Sequence, residues 1–347
     1  MVNKDFCLSS YIAFRYIWKD GVDFCEGFQH KNVIPHDIKD RIPVRTAEEI
    51  DCEIQAQVDN IYSQYDNVGI LLSGGMDSAI VATYLKPGSH AYTFASKDVS
   101  IFNEDNERSE KYCQRLGLNH HYVYIDFDDF KKYTPIVMRR KCSPVHSIEP
   151  QIYKAAIEAK KDGVQCILIG DGADYVFGGM DKLLSRDWRF DDFVNRYYSL
   201  NPKKVLVNPV DMVEVFEPYR KDGDMIDFMG FMDGLCTNES YSSYDNAFKS
   251  ANMPYHDPYE ILVMAEKLDL DKVRNGNSKY LIRDLYKMKY KDMEIPEKIP
   301  MPRPVDAIFK DWQGPQRPEF RNDIPMNELT GNQKWQLWCA EQFLNMI

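Results

Sequence analysis

The stretch Ser73-Gly74-Gly75-Met76-Asp77-Ser78 decides the fold of this chain. An apolar run over residues 68–72 precedes it, and a run typical of a helix follows over residues 79–85. Glycines in a tight turn let the backbone approach a ligand closely, and the first N–H groups of a helix lack partners and favour negative charge. The strand, the turn and the helix together predict an anion-binding site.

The residue types in this loop indicate phosphate as the anion. Ser73 and Ser78 add hydroxyl donors beside Gly74 and Gly75. The Asp77 carboxylate would repel phosphate, and its presence is explained if a Mg²⁺ ion lies between the carboxylate and the phosphates. An ordinary serine–glycine turn before a helix is the alternative interpretation. The combination of both serines with the aspartate favours phosphate, provided that the strand–turn–helix context holds.

Apolar segments alternate with helical patterns across the first half of the chain. Strands are predicted at 68–72, 90–95, 121–126 and 165–169. Between them the patterns predict helices at 77–86, 104–116 and 150–162, and a less regular stretch at 127–140. This alternation predicts an α/β fold in which a parallel, Rossmann-like sheet is flanked by helices. In such sheets ligands bind beyond the C-terminal ends of the strands, where the first loop lies.

The two ends of the chain have a different pattern. Residues 1–45 are aromatic-rich and predicted to be irregular, and a helix is predicted to begin at Thr46. After about residue 185 the sequence is mainly helical, with helices predicted at 240–250, 258–269, 278–291 and 332–345. We therefore expect a lead-in segment and helix over residues 1–65. One domain would follow over residues 66–347, with a helical C-terminal part.

The composition argues against several classes of protein. The 347-residue chain has a net charge of −11, which disfavours nucleic-acid binding because such binding needs a basic surface. None of the eight cysteines lies in a Cys-x-x-Cys pair, so zinc-ribbon, iron–sulfur and redox-dithiol sites have little support. There is no signal-peptide pattern and no apolar run that is long enough to cross a membrane. We expect a cytoplasmic protein.

A second loop of the same kind covers residues 170–179, again after an apolar strand and before a predicted helix. We expect it to lie on the same edge of the sheet and to face the first loop. Asp174 would then meet Asp77 across one bridging Mg²⁺ ion, because carboxylate oxygens are the ligands that this ion prefers. A surface turn rich in Asp and Gly is the alternative interpretation, which the presence of the first loop disfavours.

The first loop resembles the pyrophosphate-binding loop of the ATP pyrophosphatases. The second resembles a motif in the synthetase domain of asparagine synthetases, β-lactam synthetases and lasso-peptide cyclases. The residues that match that family's second motif are Gly170, Gly172, Asp174, Val176, Phe177, Gly178 and Gly179. Weaker similarities lie at residues 253–257, 279–283 and 295–297. The resemblance implies a sheet of the adenine nucleotide alpha hydrolase type. It also implies ATP-dependent amide formation through an acyl-adenylate, with release of pyrophosphate.

The resemblance also implies roles for individual residues. Asp77 and Asp174 would hold Mg²⁺. Asp171 stands where the family has a glutamate or tyrosine that handles protons, and its side chain is one methylene shorter than glutamate. The residues that would bind ATP and pyrophosphate are Leu72, Ser73, Gly74, Gly75, Asp77, Ser78, Phe94, Ser96 and Gly170.

The chain departs from the family pattern at two places in the predicted site. Pro304 stands where the family has a catalytic lysine, so we expect Arg303 or Lys310 to supply the cation. An ordinary exposed arginine in a proline-rich loop is the alternative for Arg303. His146 stands where the family has an arginine that binds aspartate, which favours an acid other than aspartate. His146 and Glu149 are candidates for holding the acid or the amine, against the alternative of a structural histidine.

About 65 residues precede the first loop, so we expect no glutaminase domain in this chain. Ammonia would come free or from a separate glutaminase subunit, or the nucleophile would be another amine. The acid would be a small metabolite or a nucleotide-linked uronic acid. Two other functions stay open. A tRNA-modifying ATP pyrophosphatase is disfavoured by the acidic charge, and a non-catalytic nucleotide-binding homologue is disfavoured by Asp77 and Asp174.

Overall fold

A computed structural model of the chain describes residues 1–33, 36–95, 104–232, 237–297 and 304–347. The strands in these ranges are β1 (Ile42–Val44), β2 (Val68–Leu71), β3 (His90–Ala95), β4 (Asn119–Tyr124), β5 (Cys166–Leu168), β6 (Arg220–Lys221), β7 (Met225–Ile226), β8 (Tyr255–His256) and β9 (Leu262–Met264). The helices are α1 (Lys4–Phe14), α2 (Ala47–Gln64), α3 (Met76–Ala82), α4 (Glu104–Leu116), α5 (Phe127–Lys141), α6 (Ile148–Lys161), α7 (Ala173–Val176), α8 (Asp181–Leu184), α9 (Phe190–Tyr197), α10 (Pro202–Val205), α11 (Phe228–Phe231), α12 (Asn238–Ser250), α13 (Leu270–Arg274), α14 (Tyr280–Lys289), α15 (Val305–Ile308) and α16 (Gly331–Leu344).

The central sheet has five parallel strands in the order β4-β3-β2-β5-β8. Strand β2 lies in its middle, with Ile70 opposite Ala91 of β3 on one side and Leu168 of β5 on the other. The four predicted strands are confirmed, although β4 begins at Asn119, two residues before its predicted start. The fifth strand, β8, was not predicted because it has only two residues.

Helices cover both faces of this sheet. Successive residues of β2 point to opposite faces, and Ile70 and Leu71 accordingly belong to different hydrophobic clusters. The Ile70 cluster contains residues from α2, α3 and α14, whereas the Leu71 cluster contains residues from α6 and α12. A parallel sheet that is buried on both faces explains why its strands are continuous apolar runs. The predicted α/β fold is confirmed.

The prediction of an irregular segment at residues 1–45 was wrong over α1. Asn3 caps this helix, and its side chain accepts a hydrogen bond from the Phe6 N–H. Every residue from Phe6 to Phe14 is buried, so the helix has no polar face and lacks the apolar stripe by which an amphipathic helix is recognised. It packs in one hydrophobic cluster with α16, at the other end of the chain.

Two other predictions failed in the middle and C-terminal parts. The stretch at 127–140 is the regular helix α5. It begins with a capping box formed by Asp126 and Asp129. The helix predicted at 258–269 does not form. Instead β9 pairs in parallel with β1, so its apolar residues are used in a two-stranded sheet. Among the described helices, none combines the length and the apolar composition that crossing a membrane requires.

Candidate active site

The first loop connects β2 to α3 and is shaped by its own serines. The Ser73 N–H donates to Oγ of Ser78 at 3.0 Å, and the two hydroxyl oxygens are also 3.0 Å apart. The Gly75 N–H donates to Oγ of Ser73 at 3.1 Å. These local bonds hold residues 73–78 in one compact turn at the C-terminal end of β2.

Gly74 is required by the close approach of α4. A Cβ atom on Gly74 would overlap the backbone oxygen of Asp105, so only glycine fits at this position. Nε of Arg108 donates to the Gly74 carbonyl oxygen at 3.1 Å, and its Nη2 pairs with Asp105 at 2.7 Å. Burial raises the pKa of Asp105, although Arg108 acts in the opposite direction. The first turn of α4 therefore contacts the first loop at Gly74 and stabilises its conformation.

The second loop meets the first at Gly170. A Cβ atom on Gly170 would lie 3.0 Å from the carbonyl carbon of Asp77 and 3.0 Å from the Ser78 nitrogen, so the two backbones touch. The Gly172 N–H donates to Oδ2 of Asp257 at 2.7 Å, which ties this loop to the end of β8. The structure thus brings residues 73–78 and 170–179 together at the C-terminal ends of the strands β2 and β5.

One buried lysine joins the two aspartates that the sequence singled out. Nζ of Lys279 lies 2.6 Å from Oδ2 of Asp77 and 2.8 Å from Oδ1 of Asp174, and its side chain is 5% exposed. Burial alone would lower the pKa of Lys279, but the two carboxylates outweigh burial and raise it. Lys279 immediately precedes α14 in the left-handed conformation, with φ of 52°. The sequence signal for it was only a weak motif at 279–283.

Asp171 lies in the second loop with a partner that the sequence did not predict. Oγ of Ser240, in the first turn of α12, donates to Oδ2 of Asp171 at 2.5 Å. Burial is the main cause that raises the pKa of Asp171 to about 7, with Asp174, Glu239 and Asp77 adding to the shift and Ser240 opposing it. A carboxyl group in this state is suited to accept or donate a proton near neutral pH.

His146 belongs to a cluster that also contains residues from α12 and from the end of α1. Its Nδ1 accepts the Ile148 N–H at 3.2 Å, so Nε2 carries the hydrogen of the neutral ring and faces Oε1 of Glu239 at 3.3 Å. Nη2 of Arg15 lies 2.9 Å from Oε2 of the same glutamate. Arg15 follows α1 directly and adopts φ of 68°, an uncommon conformation for a residue with a side chain.

Glu149 is engaged inside the protein. Its Oε1 accepts from Nζ of Lys141 at 2.6 Å and from the His146 N–H at 2.8 Å, while Oε2 accepts from Nδ2 of Asn246 at 2.6 Å. Burial raises its pKa, against the effect of Lys141. Oε1 thus holds the loop that carries His146, and Oε2 links Glu149 to α12.

The remaining predicted residues are less closely grouped. Leu72 directly follows β2, and Phe94 lies in β3. The two side chains belong to different hydrophobic clusters, on opposite faces of the sheet. Lys310 is exposed in the turn after α15. Ser96 and Arg303 lie outside the described residues.

Comparison by sequence assigns a family. A family model described as asparagine synthase matches residues 49–233, which is more than half of the 347-residue chain and includes both loops. A protein of Methanocaldococcus jannaschii, provisionally named asparagine synthetase 1 (glutamine-hydrolyzing), is 26% identical over 168 residues. That match covers 47% of this chain and 30% of the relative, so this chain spans only part of the relative's length.

Two solved structures match this chain with low TM-scores. An NMN synthetase from Francisella tularensis matches with a TM-score of 0.28 and 11% identity, over 74% of this chain and 100% of the other. An NH3-dependent NAD synthetase from Campylobacter jejuni matches with a TM-score of 0.27 and 16% identity, over 60% of this chain and 96% of the other. Function is therefore inferred from the family match and from the geometry of the site.

Proposed function

We propose, on the premise that this chain belongs to the asparagine synthase family, that it is an ATP-dependent synthetase joining a carboxylic acid to ammonia or an amine. One observation carries the proposal. Asp77 and Asp174 converge on one cation, the Lys279 ammonium, directly beside the serine–glycine loop. Two carboxylates beside such a loop are suited to binding a metal–phosphate complex, because a cation must lie between negative carboxylates and negative phosphates.

The proposed reaction has two steps. A carboxylate oxygen of the acid attacks the α-phosphorus of ATP, and the bond to the bridging oxygen breaks as pyrophosphate leaves. The lone pair of ammonia or an amine then attacks the acyl carbon, the bond to the AMP oxygen breaks, and a proton leaves the nitrogen. Holding both reactants on one surface removes much of the entropic barrier to each step.

Mg²⁺ is the metal that fits the two aspartates. Their oxygens are hard donors, and both already lie within 2.8 Å of one positive charge. When bound there, Mg²⁺ would neutralise the phosphates of ATP and the leaving pyrophosphate. Lys279, which keeps its positive charge, would then be available to pair with phosphate oxygens.

We propose that ATP binds at the first loop, with its phosphates at residues 73–78. Gly170 would contact the adenosine, and Leu72, Phe94 and Ser96 are further candidates for that contact. Arg303 and Lys310 stay our candidates for the cation at the α-phosphate, in the place of the family's lysine.

The acid and amine are proposed to bind next to Asp171. Asp171 would take the proton that leaves the nitrogen, oriented by the hydrogen bond from Ser240. Arg15 and His146, both held by Glu239, would contact the acid, and Glu149 would keep the His146 loop in position. The candidate acids are small metabolites and nucleotide-linked uronic acids. Ammonia is proposed to arrive free or from a separate glutaminase subunit.

The experiment is acid-dependent ATP–pyrophosphate exchange. The purified chain is incubated with ATP, Mg²⁺, labelled pyrophosphate and each member of a panel of carboxylic acids, including aspartate and uronic acids. We expect exchange with at least one acid and none with acid omitted. Exchange that no acid supports would remove the basis of the proposal, and exchange that depends strictly on aspartate would overturn the choice of acid.

A further inference from the structure

Two histidines face each other near the N-terminal ends of β3 and β4, whereas the two loops lie at the C-terminal ends of the strands. His90 is the first residue of β3 and His121 the third of β4, so both lie toward the beginning of their strands. Nδ1 of His90 is 2.8 Å from Nε2 of His121, and the rings are stacked with their centroids 5.0 Å apart. Since the loops follow the C-terminal ends of β2 and β5, this pair is remote from the candidate active site.

A carboxylate stands on the other side of the His121 ring. Oδ2 of Asp162, which follows α6, lies 3.8 Å from Nδ1 of His121 and accepts a hydrogen bond from the Tyr92 hydroxyl at 2.8 Å. One ligand atom from each of His90, His121 and Asp162 fits within 4.8 Å of the others. The His121 and Asp162 side chains are 34% and 33% exposed, so an ion can enter from solvent.

We propose that His90 and His121 bind a divalent transition-metal ion such as Zn²⁺, at a site separate from that of Mg²⁺. Nδ1 of His90 and Nε2 of His121 would be the ligands, with water completing the shell. Asp162 favours the hydrogen of His121 on Nδ1, which leaves the lone pair of Nε2 directed at the ion. A carboxylate behind a ligating histidine is a recurrent arrangement in metal sites.

The protons balance without a further reactant. In the metal-free protein one of the two facing nitrogens donates a hydrogen bond to the other. With His121 holding its hydrogen on Nδ1, His90 is the donor, and on metal binding its hydrogen moves from Nδ1 to Nε2 through water. Neutral rings are the form that binds metals.

The choice of metal follows from the ligands. Imidazole nitrogens suit Zn²⁺, Ni²⁺ and Cu²⁺, whereas Mg²⁺ prefers oxygen donors and is expected to bind elsewhere. The consequence for the fold is local. Among the described strands, β4 lies at the edge of this sheet beside β3, so an ion bound by both His90 and His121 would link the edge strand to its neighbour.

The test is calorimetric titration with Ni²⁺ and with Zn²⁺, in the presence of saturating Mg²⁺. The chain carries the Cys52→Ser substitution, because the exposed Cys52 thiol would compete for these ions. We expect one ion per chain in this background and in His120→Gln, and no saturable binding in His90→Gln or His121→Gln. His120 is a matched control, since it neighbours His121 but contacts Oγ1 of Thr93 on the other face of the sheet.

Two further measurements complete the test. Asp162→Asn is expected to weaken binding by about tenfold or more. The metal is expected to raise the unfolding midpoint by a few degrees only where both histidines are present. The absence of binding in the Cys52→Ser background, or binding that survives in both histidine variants, would overturn the proposal. Those results would leave the histidine pair as a hydrogen bond alone.

An experiment on the Cys52→Ser chain, with all of its histidines in place, guards against misfolding of the histidine variants. The electron paramagnetic resonance spectrum of bound Cu²⁺ is expected to show coupling to two imidazole nitrogens. A spectrum with one such coupling or none would contradict the proposal. None of these readouts uses ATP, so they are independent of the outcome of the exchange assay.

Discussion

The nucleotide side and the acid side of the candidate site are assembled in different ways. The nucleotide side consists of two continuous loops, residues 73–78 and 170–179, each placed by the strand before it. The acid side consists of Arg15, His146 and Glu239, and Arg15 and Glu239 are 224 residues apart in the chain. The first is therefore a property of local sequence, whereas the second exists only because α1, α12 and the His146 loop pack together.

The two sides also differ in charge. On the nucleotide side, within the part of the chain that the structure describes, the Asp77 and Asp174 carboxylates both pair with the Lys279 ammonium. On the acid side the Arg15 guanidinium balances the Glu239 carboxylate, with neutral His146 beside it. We therefore expect an added divalent cation to affect the nucleotide side more than the acid side. Substitutions on each side test that difference.

The largest effect is expected from Asp174→Asn, which removes one negative ligand from the nucleotide side. Acid-dependent ATP–pyrophosphate exchange should fall by about 10²–10³-fold, since charge stabilisation of the transferring phosphate is lost. The control is Asp191→Asn, at an exposed aspartate of α9. Exchange within about twofold of the unsubstituted rate for Asp174→Asn would contradict the assignment.

Lys279→Met removes the shared cation and leaves Asp77 and Asp174 to repel each other. The free energy of unfolding should fall by about 3 kcal/mol, as for other broken buried pairs. Mg²⁺ should restore part of this loss, because it replaces the missing charge. Urea unfolding with and without Mg²⁺ measures both effects, and the unsubstituted protein should gain less from Mg²⁺. Equal gains in the two proteins would argue against a metal between the aspartates.

Arg15→Gln tests the acid side. The KM for the acid should rise by about tenfold, which corresponds to about 1.4 kcal/mol, while the KM for ATP stays unchanged. Glu239→Gln should mirror this effect, and the double variant should cost less than the sum. Lys19→Gln, at an exposed lysine near Arg15, is the control. A rise in the KM for ATP instead would place Arg15 on the nucleotide side.

The smallest effect is expected from Ser240→Ala, at the boundary between the two sides. The hydrogen bond from Ser240 lowers the pKa of Asp171, so its loss should raise that pKa further above its ordinary value. If Asp171 accepts a proton, activity is lost as the pH falls through its pKa. The acidic limb of the pH–rate profile should then move to higher pH by about half a unit. Ser240→Thr should restore the original profile, and an unmoved limb in Ser240→Ala would remove this role.

Two of the failed predictions concern a helix that is buried on all sides and a strand that is paired with a distant strand. Helix α1 has no exposed face, so its sequence shows no 3.6-residue stripe. Strand β9 has three residues whose partner, β1, precedes it by more than 200 positions, and its apolar side chains fit a helical pattern equally well. Periodicity detects an element only where one face differs from the other.

The amino-acid sequence by itself determined the parallel sheet and the positions of both loops, because glycines, serines and aspartates at a strand end act through the nearby backbone. It also singled out Asp77, Asp174 and Asp171. Tertiary structure alone decided that Lys279 joins the two aspartates, that Ser240 bonds Asp171 and that Arg15 reaches Glu239. Side chains on distant segments come into contact only when the helices pack, and a local sequence pattern does not indicate such contacts.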